Sequence, residues 1–423
     1  MIRSFWQARY GAGFPDRDAV AHHQARGMDR LRRRIMGRSP LYAPLADRPV
    51  EDWPLMDKSR MMRDFTAINT CGITLEQALD VATKAEESRD FSPMIGQVAV
   101  GLSTGTSGQR GLFLTNRRER AIWAGVMLGR FWPQPLLRRQ RIAFFLRANN
   151  ALYETLGNAL MQFRFYDLLD TFEGHIPRLA TQDPTVLIAP AQILCLLAQA
   201  QEARALRLRP CRIISVAEVL SPEDAALIRR AFGVPVDQVY QCTEGVLGYT
   251  CRAGSLHLNE RFIRFDRDVI DLDTGAFCPV ITDFTRESLP ILRYRLDDVL
   301  VPDPAPCPCG CASVRLARIE GRADDILWWP AAQGGLRMIP SDAIRQAVAL
   351  LPVPVRDYRA IQHGQRSLHV WLDTDRPTQA ATDLRESLSR LAARHGCTLP
   401  ALTLHSGLPV ETAPKRRRVV ALP

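Results

Sequence analysis

The chain has 423 residues, 46% of them hydrophobic and 24% charged, with a formal net charge of +10. That length exceeds what one hydrophobic core usually holds, so a large domain with a smaller one, or two of moderate size, is expected, and the balanced composition excludes a fibrous or largely disordered chain. No apolar run is long enough to span a bilayer, and the opening MIRSFWQARYGAGF lacks the apolar stretch of a secretion signal, so a cytoplasmic location without a membrane partner is expected.

The basic charge is almost all arginine, since Lys58, Lys84 and Lys415 are the only lysines among 55 basic residues. A surplus of this kind suits polyanionic ligands such as nucleotides, coenzyme A or nucleic acid, without choosing among them. A nucleic-acid binder would interleave aromatic and basic residues on a platform or present a recognition helix; with 7% aromatic residues neither pattern emerges, and no nucleic-acid partner is expected.

In chain order, DRDAVAHHQARGMDRLRRRIM predicts a helix whose arginine face reads as solvated surface. From residue 140 onward, short apolar runs alternate with helical patterns. RIAFFLRA reads as a strand, ALYETLGNALMQF as a helix, TVLIAP as a strand, AQILCLLAQAQEARAL as a helix and RIISVAE as a strand, which predicts α/β layering around parallel strands. Ser221, Pro222 and the acids behind them start a further helix that Gly233 closes. After about residue 250 the alternation of RFIRFDRDVIDLDTG and VITDFTRESLPILRYRL predicts antiparallel strands. The last hundred residues mix strand (LHVWLDT) and helix (TDLRESLSRLAARHG) at small-domain size. The expected fold is α/β: a large multi-layered N-terminal domain with mixed sheets, residues 1–320, and a small mobile α+β domain, residues 321–423.

GLSTGTSGQRG at 101–111 has the backbone freedom and hydroxyls of a phosphate cradle, though no Gly-Lys-Ser/Thr follows as in a P-loop. Downstream come YQCTEG at 240–245, LRYRLDD at 292–298, IEGRADD at 319–325 and the isolated Lys415. Ten cysteines do not form a secreted disulfide pattern; CPCGC at 307–311, with Cys251 and His257 in CRAGSLH, offers the Cys/His ligands that tetrahedral zinc takes.

In order and spacing these stretches resemble the adenylate-forming superfamily, which activates carboxylic acids with ATP, and more closely its phenylacetate-coenzyme A ligases and the synthetases that adenylylate a deazaflavin coenzyme. The resemblance spans roughly residues 50 to 345. It implies a Mg2+-dependent ATP site with Ser103, Thr104, Gly105, Thr106, Ser107 and Gly108 as the phosphate cradle. Thr243 would touch the α-phosphate and Glu244 would hold the metal. Asp298 would accept hydrogen bonds from the ribose hydroxyls, with Asp297 standing where the family commonly has glycine. Arg322 and Asp324 match the interdomain arginine and the hinge aspartate. Lys415 falls where the family places a lysine bridging the α-phosphate and the attacking carboxylate, without the usual flanking glycine. The phenylacetate-ligase branch implies Cys251, His257, Cys307 and Cys309 as ligands of a structural Zn2+, leaving Cys311 extra. The expected enzyme is a ligase that activates an aromatic or acyl carboxylic acid and passes it to a thiol, either coenzyme A or an acyl carrier protein. The alternative is adenylyl transfer to an aromatic hydroxyl.

Overall fold

The computed structural model describes residues 1–11, 13–88, 93–102, 111–146, 161–168, 170–323, 326–409 and 418–422. Helices Ile2–Tyr10 and Arg17–Arg34 open the chain, the second capped by the Asp16 side chain, which accepts from the Ala19 amide. Strands β1 (Met94–Ile95), β2 (Val98–Leu102) and β3 (Leu112–Thr115) form an antiparallel sheet. Leu114 of this sheet shares a core with Leu31, Tyr42, Trp53 and Phe65 of the N-terminal segment and with Ile281 and Tyr294 from far along the chain.

The second sheet has twelve strands, and its two halves follow different rules. Strands β4 (Gln140–Leu146), β5 (Met161–Asp167), β6 (Val186–Ala189), β7 (Arg212–Ser215) and β8 (Val236–Cys242) run parallel in the order β5-β4-β6-β7-β8. Parallel strands need crossover connections, which helices Phe172–Gln182, Ala191–Glu202 and Pro222–Phe232 supply. Because side chains alternate along a strand, Ala143, Phe145, Leu187 and Ile213 pack against Leu179, Leu194 and Ile228 of these helices, while Ile142, Val186 and Ile214 turn to the other face, toward Phe131. Phe131 ends helix Arg117–Phe131, which lies on that second face. The expected cap at Ser221 is present, its side chain accepting from the Asp224 amide, and Gly233 ends that helix at φ +74°. The predicted helix over 151–163 meets a difference: 151–160 lie outside the described residues, and 161–163 open strand β5, where the alternation of MQFRFYD lets it pair with β4.

Strand β8 is the pivot, parallel to β7 on one side and antiparallel to β9 (Gly245–Thr250) on the other. Beyond it the sheet is antiparallel: β10 (Leu256–Leu258), then β15 (Arg315–Arg322), β14 (Asp298–Asp303), β12 (Ala276–Asp283) and β11 (Ile263–Asp271), with the short β13 (Tyr294–Arg295) against β12. This is the change of pattern expected after residue 250.

The C-terminal part is a smaller unit with its own core. A two-stranded ribbon, β16 (Leu327–Pro330) and β17 (Leu336–Ile339), leads into a four-stranded sheet of β18 (Asp357–His363), β19 (Ser367–Asp373), β20 (Ala401–Ser406) and β21 (Val419–Leu422) in the order β20-β19-β18-β21. Helices Ser341–Ala349 and Pro377–Arg394 cover one face, burying Ile344, Leu384 and Leu388 against Ala360, Leu368 and Val370. The chain is thus a large multi-sheet α/β domain followed by a smaller α+β one.

Candidate active site

Thr243 and Glu244 occupy the two-residue turn between β8 and β9, where Cys242 pairs with Gly245. They therefore stand beyond the C-terminal end of the last parallel strand, the end at which open α/β sheets bind ligands. Thr243 Oγ1 donates to Glu244 Oε2 at 2.9 Å. Around this turn the polar groups form one connected set. Tyr240 donates its hydroxyl to Asp298 Oδ2 at 2.6 Å, and burial followed by the Asp298 charge pushes the Tyr240 phenol well above its ordinary value. Burial also raises the Asp298 carboxyl, against the pull of Tyr240 and of the Arg322 charge. Tyr294 is raised by burial and by the negative charge of Glu244.

The two acids of LRYRLDD have different surroundings. Asp297 is paired with Arg322 at 2.7 Å and with Arg295 at 3.3 Å, whereas Asp298 faces Tyr240 and the Glu244 turn. Arg322 ends β15, and the register Asp298↔Arg322 holds these residues together across the β14–β15 pair.

The turn opens onto a cavity of about 300 Å³. One wall is the sheet face carrying Ile142, Phe144, Val186, Ile188 and Ile214; helix Arg117–Phe131 supplies the other with Trp123, Val126 and Met127. Cys242, Thr243 and Gly245 of the turn also line it. Asp283 also lines it, fully buried, with Oδ1 accepting from the Thr285 amide at 2.7 Å and the Thr285 hydroxyl at 2.6 Å, and burial lifts its carboxyl to about 6. A Cβ on Gly245 would come within 2.9 Å of Asp283 Oδ2, so glycine lets the turn approach this acid. Glu119 on the same wall is fully used in structure, accepting from the Asn116, Glu287 and Ser288 amides and from the Ser288 hydroxyl.

Cys251, His257, Cys307 and Cys309 converge, with their ligand atoms all within 4.8 Å of one another. Cys251 Sγ lies 3.7 Å from Cys307 Sγ, and Cys309 Sγ lies 3.7 Å from His257 Nε2. Metal–sulfur bonds of ~2.3 Å at tetrahedral angles place ligand atoms ~3.8 Å apart, so the spacing fits a tetrahedral divalent ion such as zinc. His257 Nδ1 stands 2.9 Å from the Ser313 carbonyl and donates to it, leaving Nε2 free to ligate, as metal-binding histidines are usually fixed. Burial opposes ionisation of Cys307, yet the hydrogen bond from the Cys309 amide leads the effects that bring the thiol below its ordinary value. Cys311 stands outside the set and donates to the Ser313 hydroxyl at 3.4 Å.

The structure thus brings Thr243, Glu244, Asp298 and Arg322 to one end of the large sheet and gathers the four expected Cys/His ligands elsewhere on it. Ser103, Thr104, Gly105, Thr106, Ser107, Gly108, Asp324 and Lys415 lie outside the described residues. Sequence reasoning missed Tyr240, Tyr294 and Asp283. Tyr240 lies inside YQCTEG, but its partner Asp298 is 58 positions away, and nothing local joins them.

No family model matches the chain, and no curated protein is similar enough in sequence to be matched. Among solved structures, the architecture is that of adenylate-forming ligases. A 2-hydroxyisobutyryl-coenzyme A ligase in its postadenylation state, in complex with R3-HIB-AMP, is 14% identical, with 96% of this chain and 89% of that one covered and a TM-score of 0.64. The same ligase in the thioesterification state, with 2-HIB-AMP and coenzyme A, is 15% identical over 95% and 90% of the two chains at a TM-score of 0.54. The A-PCP didomain of a carboxylic acid reductase from Segniliparus rugosus, in complex with AMP, is 16% identical at a TM-score of 0.52; 74% of this chain is covered, and it spans about half (49%) of that one.

Proposed function

We propose that this chain is an ATP-dependent ligase that activates a carboxylic acid as its adenylate and passes the acyl group to a thiol, that of coenzyme A or of a carrier protein's pantetheine arm. The observation that carries the reading is the apolar cavity ending on the Thr243–Glu244 turn, with Asp298 held at the same end through Tyr240. An acid with an apolar body enters the cavity and leaves its carboxylate beside Thr243. The carboxylate oxygen attacks the α-phosphorus of ATP, an acyl–O–P bond forms, the bond to the β-phosphate breaks, and pyrophosphate leaves. Thr243 positions the α-phosphate, Asp298 accepts from the ribose hydroxyls, and residues 103–108 cradle the phosphates. Glu244 would hold Mg2+, which when bound neutralises phosphate charge. Lys415 stabilises the negative charge that develops between acid and phosphate, a narrow gap suited to a compact ammonium. In the second step the thiol attacks the acyl carbon, loses its proton to solvent, and AMP leaves.

We further propose that Zn2+ occupies the Cys/His cluster as a structural ion, that residues 1–320 bind ATP and acid, and that residues 321–423 move as a lid about Asp324 between the two steps. The test is acid-dependent exchange of labelled pyrophosphate into ATP, run over a panel of aryl and fatty acids. Exchange with at least one apolar acid, and AMP release that then requires a thiol, is the expected result. No exchange with any acid would overturn the reading, and AMP transfer to a phenol would replace its second step.

A further inference from the structure

A second cavity, of about 650 Å³, lies on the far side of Ile122, Phe262 and Thr285, which line both cavities. Its walls carry six arginines drawn from four places in the chain: Arg3 from the first helix, Arg26 and Arg30 and Arg34 from the second, Arg118 from the start of helix Arg117–Phe131, and Arg261 from the turn before β11. Spacing of four residues puts Arg26, Arg30 and Arg34 on one helical face, and Gly27 lets that face close on Phe284, whose ring would stand 2.9 Å from a Cβ there. Among the described residues the one acid lining the cavity is Glu287, and it is ion-paired with Arg118. Arg3, Arg26, Arg30 and Arg34 make no ion pair with any described residue.

A basic helix face on a convex surface is ordinarily solvated, which is how the sequence reads. Here the face is one wall of a concave site whose opposite walls are also basic, and concavity concentrates the field instead of letting water screen it. The local potential leaves its mark on His23, whose ring Nε2 donates to the Arg261 carbonyl at 2.8 Å. Its basicity falls below the ordinary value through burial first, and then through the charges of Arg261, Arg26 and Arg30. Guanidinium groups repelling one another across a cavity are relieved by a multivalent anion, and their planar donors match phosphate oxygens in pairs.

We propose that this cleft is a binding site for a small molecule bearing two or more phosphate groups, separate from the Thr243–Glu244 end. Its size and concavity admit a small molecule and not a nucleic-acid duplex. Two sources carry this chemistry: the phosphates of a thiol acceptor such as coenzyme A, and free polyphosphate. The inference does not depend on the ligase reading, although that reading gives the first source a purpose, since a single layer of side chains separates the cleft from the apolar cavity.

The test is titration calorimetry on the full chain with AMP present to fill the nucleotide end, using sodium tripolyphosphate, coenzyme A and unphosphorylated pantetheine as probes. The parent is expected to bind the two phosphorylated probes with an affinity that falls as salt rises, and not to bind pantetheine in the cleft. The variant R26Q/R30Q/R34Q should lose on the order of tenfold or more in affinity for them, while R26K/R30K/R34K, which keeps the charge but not the paired planar donors, should lose less than the glutamine variant. Coenzyme A binding tenfold tighter than tripolyphosphate would assign the site to the thiol acceptor; equal affinities would assign it to free polyphosphate. Affinities unchanged in the glutamine variant, or no binding by the parent, would overturn the proposal. Pyrophosphate exchange in the glutamine variant should stay at the parent rate, so failure here and failure of the ligase reading are told apart.

Discussion

Strand β9 joins two sites of opposite construction. Glu244 precedes its first residue and Cys251 follows its last, so six residues, ~20 Å of extended chain, separate the open turn from the Cys/His cluster. At the cluster every donor is turned inward: four ligand atoms face one another, and the remaining histidine nitrogen is taken by the Ser313 carbonyl. None of the four lines the apolar cavity. At the other end Cys242, Thr243 and Gly245 line a cavity of about 300 Å³, and the acids behind them are raised by burial and held by hydroxyls. A closed set of ligands holds the fold, whereas an open set admits a reactant. Changes at the turn should therefore remove activity and spare stability, and changes at the cluster should do the reverse.

The largest effect is expected at the turn. Glu244→Gln keeps the shape and removes the charge proposed to hold the metal, which should slow adenylate formation on the order of 10³-fold, with the melting temperature close to the parent's. Pyrophosphate exchange and calorimetry measure the two halves of that statement. A variant that exchanges at the parent rate would move the metal role to another residue. Lys415→Ala should follow at on the order of 10²–10³-fold, the scale for removing one charge-stabilising donor, while thiol transfer from a supplied adenylate persists. If Lys415→Ala adenylates normally, Arg416→Ala decides whether the neighbour substitutes.

The cluster should respond in the opposite sense. Purified protein is expected to carry about one zinc per chain by elemental analysis. Cys307→Ser or Cys309→Ser should lose it, with a stability loss on the order of 2–4 kcal/mol and little change in the Michaelis constants of the remaining folded enzyme. A metal-free preparation that melts like the parent would remove the distinction between the two ends of β9.

The closed end was the more legible of the two in the sequence, and the reason is physical. Its candidate ligands come from two short stretches, 251–257 and 307–311, whose residue types suggest a metal, while the choice of Cys307 and Cys309 over Cys311 came from the family resemblance. The parallel strands and the Ser221–Gly233 helix were equally readable, because alternation, caps and helix-ending glycines are local signals. At the open end Thr243, Glu244 and Asp298 were marked by motifs, but the cavity was not. Its walls are ordinary apolar positions such as Ile142, Val126 and Ile214, which carry no signal distinguishing a wall from a core. The arginine face of the second helix was legible as exposed surface, because helical spacing shows which side chains share a face, whereas the concavity opposite it comes from Arg118 and Arg261, far along the chain.

The smallest effect separates the two ends by the sign of their pH dependence. Metal ligands must be deprotonated, so the cluster contributes less stability as pH falls. Asp283 works the other way. Burial raises its carboxyl from an ordinary 3.8 to about 6 in the folded chain, so the native state binds this proton more tightly than the unfolded one. Its contribution is therefore fully present below about 3.8 and is lost as pH rises through 6, reaching on the order of 3 kcal/mol against the fold at neutral pH. Asp283→Asn removes the charge and keeps an oxygen that can accept from both the Thr285 amide and hydroxyl. The variant should be more stable than the parent at pH 7 to 8, by up to that amount, and the difference should shrink toward zero near pH 4. Urea unfolding of both chains across that range measures the difference directly, and the cluster's own pH dependence cancels because both chains keep it. A difference that stays constant with pH would mean that Asp283 is not the buried acid setting the sign at the open end.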